Sequence, residues 1–388
     1  MDDCRLLVGK SGDFGGKSVC GAREEIKGGF FMLRKYTMFL GLLAGMLLVL
    51  SLISGCSNSG KQQGKQSGEQ QKTVKLRLSH TSPKDKINFY SKYSEKFSEL
   101  VSKHTNGGVQ VQTFGEGELY GNYIEMTKAV MDGSLDMGFI IPSTAYPSGG
   151  IPEAAAPMIP RLLKTEEGFY EFLGRKDGYG VIDDLAAKRG IKRLDSVIFG
   201  KYYVYTPKVI NKPEDFKGLI IRLGGGPIDI AGKALGMTPS PLSIAEVYSG
   251  LQQKVLDGAA TGLDGFVRRK WYEVAPYIVA KNWMFTWYNV DLIINSHAWS
   301  RIPEEQKKII LDKVVPELHA WAVEEAHKEW AQAEAGVEQV GGKWVTLPES
   351  VVREMDGILA EKAYPELKKI SPTMSKLIDV AQECEKNK

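Results

Sequence analysis

Residues 73–80 read TVKLRLSH, and the stretch from there to Ile141 decides the fold. Val74, Leu76 and Leu78 alternate with polar residues, which is the period of a half-buried strand. After Ser82-Pro83, apolar residues recur at Tyr90, Tyr93, Phe97, Leu100 and Val101 and stop at Asn106-Gly107, a helical stripe closed by a helix-ending pair. Val109 to Phe114 alternates again as a strand. A second helix through Met126, Ala129 and Val130 ends at Asp132-Gly133, and Leu135 to Ile141 is an apolar run fit for a buried strand. Strand and helix in strict alternation imply a parallel, doubly wound sheet, because parallel neighbours need a crossover and the helix supplies it.

The same order recurs downstream. Leu219 to Leu223 reads as a strand, Ile228 to Leu235 as a helix, Met237 to Leu242 as a short extended piece with two prolines, and Ala245 to Leu256 as a helix. The two halves share wording as well, KAVMDG at 128–133 and QKVLDG at 253–258. The fold expected is therefore α/β with two doubly wound lobes, lobe I over 73–198 and lobe II over 199–286. Residues 287–388 supply crossing segments and a long helix, Ile309 to Val337, which Pro316 starts or kinks. Val345 to Leu347 resembles a last short strand.

Upstream of this ordered part, residues 57–72 (SNSGKQQGKQSGEQQK) lack a single apolar side chain and cannot bury a core, so 56–72 is expected to be a flexible tether. Before it, residues 32–56 read MLRKYTMFLGLLAGMLLVLSLISGC. Two basic residues, an apolar run and small residues in that order describe an export signal. The apolar run Met38 to Ile53 is shorter than the roughly 20 residues of a spanning helix. Ile53-Ser-Gly-Cys56 resembles the lipobox of bacterial lipoproteins, in which the signal is cut before the cysteine and that cysteine carries lipid. The expectation is a signal peptide over 32–55, lipidation at Cys56, an upstream extension over 1–31, and a mature protein in the periplasm or on the outer face of the cytoplasmic membrane.

Composition narrows the partners. The first 55 residues hold seven basic and five acidic side chains, which leaves 43 Lys and Arg against 42 Asp and Glu in the remainder. A net charge near zero argues against nucleic acid or a polybasic membrane surface as the partner. Cys384 is the cysteine left after Cys4, Cys20 and Cys56, so no internal disulfide is available.

Open parallel sheets bind ligands beyond the carboxyl ends of their strands. That rule selects His80, Thr81, Phe114, Pro142 and Ser143 in the first lobe and Arg222 and Thr261 in the second. Arg222 ends a strand covered on both faces, where a guanidinium needs an anionic partner or several acceptors. A structural ion pair and a ligand carboxylate fit that requirement equally. Gly224-Gly-Gly-Pro-Ile-Asp229 opens the next helix, whose free N–H groups suit an anion, although a plain strand-to-helix turn explains it as well. No G-x-S-x-G, H-E-x-x-H or C-x-x-C occurs, so neither a nucleophile motif nor a metal motif is present. His104, His297, His319 and His327 read as surface or packing residues. No metal and no cofactor is expected.

A longer series of segments resembles a known family. Leu76 to His80 with the helix running to Thr105-Asn-Gly107, Asp132-Gly-Ser-Leu-Asp-Met137, residues 213–222 (PEDFKGLIIR), Ala245-Glu-Val-Tyr248, Leu251-Gln-Gln253, Asp257-Gly258, Trp271-Tyr-Glu-Val274 and Ile293-Ile-Asn295 resemble, in order, the DctP-type solute receptors of TRAP transporters, the tripartite ATP-independent periplasmic systems. The resemblance implies a periplasmic binding protein-like receptor whose two lobes close on a small organic acid and deliver it to membrane permease subunits driven by an ion gradient. It also implies that Arg222 forms the salt bridge to the ligand carboxylate.

Departures from the family pattern bear on the ligand. Many sialic-acid and dicarboxylate receptors carry Gln-Glu-Asn-Pro where this chain has Ala259-Ala-Thr-Gly262. An acidic residue and an arginine in the first lobe are replaced by Asn122-Tyr123, and a second ligand arginine falls where Tyr202 and Tyr203 stand. Residues 281–288 (KNWMFTWY) bring Trp283 and Trp287 to a stretch of polar cleft residues in relatives. With lobe core or hinge packing as the other reading of these aromatics, the expected ligand is a monocarboxylate with an apolar or aromatic body. A receptor for an ATP-driven importer and a secreted α/β enzyme are the competing functions. The enzyme requires a base or metal ligands at the strand ends, where only His80 qualifies.

Overall fold

The computed structural model describes residues 73–386 apart from Ile87. The extension 1–31, the signal 32–55, Cys56 and the tether to residue 72 lie outside the described residues. Among those described, the strands are β1 (Val74–Ser79), β2 (Val109–Phe114), β3 (Met137–Ile140), β4 (Ile191–Thr206), β5 (Ile220–Arg222), β6 (Thr238–Pro239), β7 (Gly258–Gly262), β8 (Tyr277–Val279), β9 (Thr286–Asn295) and β10 (Lys343–Trp344).

The first lobe follows its expected alternation. Asn88 caps the helix Phe89–His104 by accepting from the Ser91 N–H at 2.9 Å, and the whole stripe of Tyr90, Tyr93, Phe97, Leu100 and Val101 is buried. The helix ends where Asn106 and Gly107 turn to φ 48° and 75°, backbone that Asn and Gly adopt most cheaply. β1 then pairs in parallel with β2 and with β3. In the second lobe β5 pairs in parallel with β6 and with β7.

The sheet is nonetheless mixed. β4 and β9 run antiparallel to each other from Ile191↔Asn295 to Tyr202↔Thr286 and join the two parallel trios in the order β2-β1-β3-β9-β4-β7-β5-β6. The first half of β4 therefore lies beside β9, and its last residues also pair with β7 and β8. Register shifts fall between Arg193 and Asp195 and between Ile198 and Gly200. Such irregularities bend and twist a strand, here at the passage from one parallel trio to the other.

Several boundaries differ from the sequence reading. The long helix is Val315–Gln339, and it continues a helix Glu304–Ile309 through a wider π turn, Ile310–Val314. Pro316 explains that turn: it has no N–H to give, and its ring would strike the carbonyl one α-turn back. The same device precedes Pro365, where Leu359–Ala363 is a π turn. The last strand is Lys343–Trp344, two residues before the expected Val345–Leu347; the Val345 N–H still bonds the Ile278 carbonyl at 3.1 Å. Between 142 and 187 the chain forms four helical pieces that sequence periodicity did not announce. No described helix is long and apolar enough to cross a membrane.

Candidate functional site

Arg222 ends β5, half-buried, and meets only neutral acceptors. Its Nε donates to the Leu242 carbonyl (3.3 Å), and its Nη1 donates to the Ala260 carbonyl (3.4 Å) and to the Tyr202 hydroxyl (3.5 Å). Among the described residues no carboxylate forms an ion pair with it. The next residues, Gly224, Gly225 and Gly226, all have positive φ. A Cβ on Gly224 would stand 3.1 Å from the Tyr202 hydroxyl. This triple-glycine turn swings the chain into the helix Gly226–Ala234, where the Asp229 carboxylate accepts from the Gly225 N–H at 3.0 Å. The helix start is thus partly occupied from within.

Tyr202 in turn donates to the Leu223 carbonyl at 3.0 Å, and burial holds its hydroxyl above the ordinary phenol range. The Tyr288 ring meets the Tyr202 ring edge-on, with centroids 6.1 Å apart. Tyr288 donates to Asp264 Oδ1 at 3.1 Å, and Arg268 Nη2 lies 2.5 Å from Asp264 Oδ2. Glycines make room for this chain of contacts: a Cβ on Gly262 would lie 2.7 Å from the Tyr288 hydroxyl, and one on Gly200 would lie 2.8 Å from the Tyr288 ring. Phe199, Gly200, Leu263, Asp264 and Tyr288 line one side of a small cavity of about 50 Å³; Glu329, Trp330 and Glu334 of the long helix line the other. The first lobe brings Tyr90 and Tyr123, whose ring centroids lie 6.5 Å apart, with Thr81 beside Tyr123. Burial raises both hydroxyls, and the Asp264 charge adds to the effect.

The other candidate residues are distributed as follows. His80 is fully buried at the end of β1; its Nδ1 accepts from the Ser82 N–H at 3.4 Å and its Nε2 has no partner. Burial, and then Lys84, depress its pKa, so the ring is neutral. Ser143 donates to the Met158 sulfur. Asn122 caps the helix Tyr123–Asp132, accepting from the Glu125 N–H at 2.9 Å. Thr261 lies under Gly265, where an added Cβ would come within 2.9 Å of its hydroxyl. Neighbouring strand residues point to opposite faces, and Tyr203 accordingly leaves Tyr202 and packs on Trp344 with centroids 5.3 Å apart. Trp283 donates to Asp356 at 2.9 Å, beneath the bidentate Arg161–Asp356 pair. Trp287 packs on Trp330 at 5.7 Å, and its indole N–H is buried without a partner.

The structure therefore brings Tyr202 to Arg222 and Tyr123 to Tyr90, while Trp283 and Tyr203 are engaged elsewhere. Tyr90 was read only as part of an apolar helical stripe and Tyr288 only as the end of the stretch 281–288, while Asp264 and Arg268 were not singled out from the sequence. One available signal was the pair Asp264 and Arg268, opposite charges four residues apart directly beyond the end of β7. Among the described residues no group of His, Cys, Asp or Glu could hold a metal ion.

Known proteins share this architecture. A solute-binding protein of Albidiferax ferrireducens is 24% identical over 315 residues, covering 80% of this chain and 92% of that protein. The C4-dicarboxylate-binding periplasmic protein DctP of Rhodobacter capsulatus is 27% identical over 234 residues, covering 60% and 68%. A TRAP periplasmic solute-binding protein from Ochrobactrum anthropi, with its C-terminus bound in the ligand pocket, superposes with a TM-score of 0.73 at 18% identity, covering 82% of this chain and 98% of the other. One from Rhodoferax ferrireducens, with bound malonate, gives 0.70 at 24% identity over 80% and 98%. At these identities the structures establish the fold. The family model for bacterial extracellular solute-binding protein, family 7, matches residues 78–364, and the chain belongs to that family, the DctP-type receptors of TRAP transporters.

Proposed function

We propose that this protein captures a small organic acid, holds its carboxylate on Arg222 and delivers it to the membrane permease of a TRAP transporter. The observation that carries the reading is the Arg222 guanidinium, which has no ion-paired carboxylate among the described residues and donates only to two carbonyls and a tyrosine hydroxyl, with Asp229 acting on it from beyond contact. The two Nη2 donors are left, and a carboxylate that displaces one of the long contacts at Nε or Nη1 completes a planar fork. Tyr202, whose hydroxyl meets Arg222, and Tyr288, packed on the Tyr202 ring, favour a monocarboxylate with an apolar or aromatic body. Each such ring pair adds about 0.5–1.5 kcal/mol beyond area burial. The lobes are proposed to divide at the Ile198–Gly200 irregularity, with 73–198 on one side and 199–286 on the other. Residues 287–388 then contribute to both. The role is binding, with the acid released intact.

Titration of the acid that copurifies with the protein tests this. Arg222→Ala is expected to lose roughly 2–5 kcal/mol of binding, the range for breaking a buried charge pair, with the fold retained. Arg222→Lys should also bind poorly, since an ammonium cannot reproduce the fork. Wild-type affinity in either variant would place the carboxylate elsewhere. Lipidation at Cys56 belongs to the same proposal, because a tethered receptor stays near its permease. The intact mass of the exported protein should start at a lipid-bearing Cys56; an unmodified cysteine there would remove the anchor.

A further inference from the structure

Two guanidiniums end the chain of contacts that runs through Tyr202 and Tyr288, half-buried Arg222 at one end and the more exposed Arg268 at the other, and they differ in one respect. Arg222 faces neutral acceptors only, whereas Arg268 is matched by Asp264 four residues earlier on the short helix Leu263–Arg268, at 2.5 Å. A pair made for the helix alone would need no other partner. Here the second Asp264 oxygen takes the Tyr288 hydroxyl at 3.1 Å, and Tyr288 leads through Tyr202 to Arg222. Arg268 also stands close enough to Tyr90, on a helix of the other lobe, to interact with it electrostatically. The Asp264 carboxylate thus ties a positive charge of the site into the tyrosine chain that ends at the Arg222 guanidinium.

We propose that Asp264 determines specificity by masking Arg268, so that the site offers one free positive charge and selects monoanions over dianions. The proposal rests on the reading of Arg222 as the carboxylate anchor. A ligand with a second carboxylate would have to approach an arginine already neutralised, beside a carboxylate that repels it. Asp264→Asn removes that repulsion and releases Arg268, while its amide oxygen still accepts from Tyr288.

Butanoate and succinate share a carbon skeleton and differ by one carboxylate, so their affinity ratio isolates the second charge. Calorimetric titration should show the succinate-to-butanoate ratio rising at least tenfold in Asp264→Asn and returning to the wild-type value in the Asp264→Asn/Arg268→Gln double variant. Arg268→Gln alone uncovers Asp264 and should lower the ratio several-fold, an arm that stands even if Asp264→Asn fails to fold. An unchanged ratio in the folded variants overturns the proposal, as does a rise that persists in the double variant. Failure to bind either acid in all of these proteins overturns it too. Arg222→Ala serves as the separate control: if it binds butanoate as wild type does, the anchor reading fails, whatever the ratios.

Discussion

Arg222 and His319 show what single residues reveal and what they hide. Arg222 was legible because a guanidinium at a strand end inside a lobe must find acceptors, although β5 is covered less than expected, with Ile220 exposed and only Ile221 fully buried. His319 was read as a surface or packing residue, since its role depends on two distant elements. Its Nδ1 lies 2.8 Å from Asp195 Oδ1, and the other Asp195 oxygen accepts from Tyr93 at 2.7 Å, so one buried carboxylate joins the long helix, β4 and the first helix. The hydrogen bond to Asp195 raises the His319 pKa against the opposing effect of burial. A histidine with a raised folded-state pKa contributes stability in full below its unfolded value of about 6.5 and loses it as pH rises through the folded value. His319→Gln should therefore destabilise by about 1 kcal/mol at pH 5.5, discounting a charged hydrogen bond for its partly exposed ring. That corresponds to about 2 °C in Tm. The difference should shrink toward pH 9, and a deficit constant across that range would contradict the assignment.

Elements with one period were readable, and elements that serve two neighbourhoods were not. The helix Phe89–His104 repeats its apolar stripe because one face meets one core. β4 is covered on both faces through its middle, carries Asp195 and Ser196 inside, and loses register twice, so no alternation survives in IKRLDSVIFGKYYVYT. The π turns before Pro316 and Pro365 were likewise half-legible: proline marks the disturbance, while the choice between a kink and a widened turn is made by the packing around it. At the site, the short helix Leu263–Arg268 has too few residues to display a period. The Asp264–Arg268 pair on it gains meaning only from Tyr288, which arrives from β9.

For the whole molecule, the repeated order of strands and helices already implied two lobes, and the antiparallel β4–β9 ribbon supplies the connection that the order alone could not specify. A ligand shifts a two-lobed receptor toward closure only if it binds the closed form better, and the proposed anchor, Arg222 in one lobe, with tyrosines from the other would meet that requirement. The account stands on an acid held by Arg222. Mass spectrometry under native conditions reads this directly on protein purified from its native host. The wild-type protein should carry one small organic acid per chain, released intact on denaturation, and Arg222→Ala, folded and otherwise the same, should carry none. An acid retained at full occupancy by Arg222→Ala, or a neutral solute in the wild type, would contradict it.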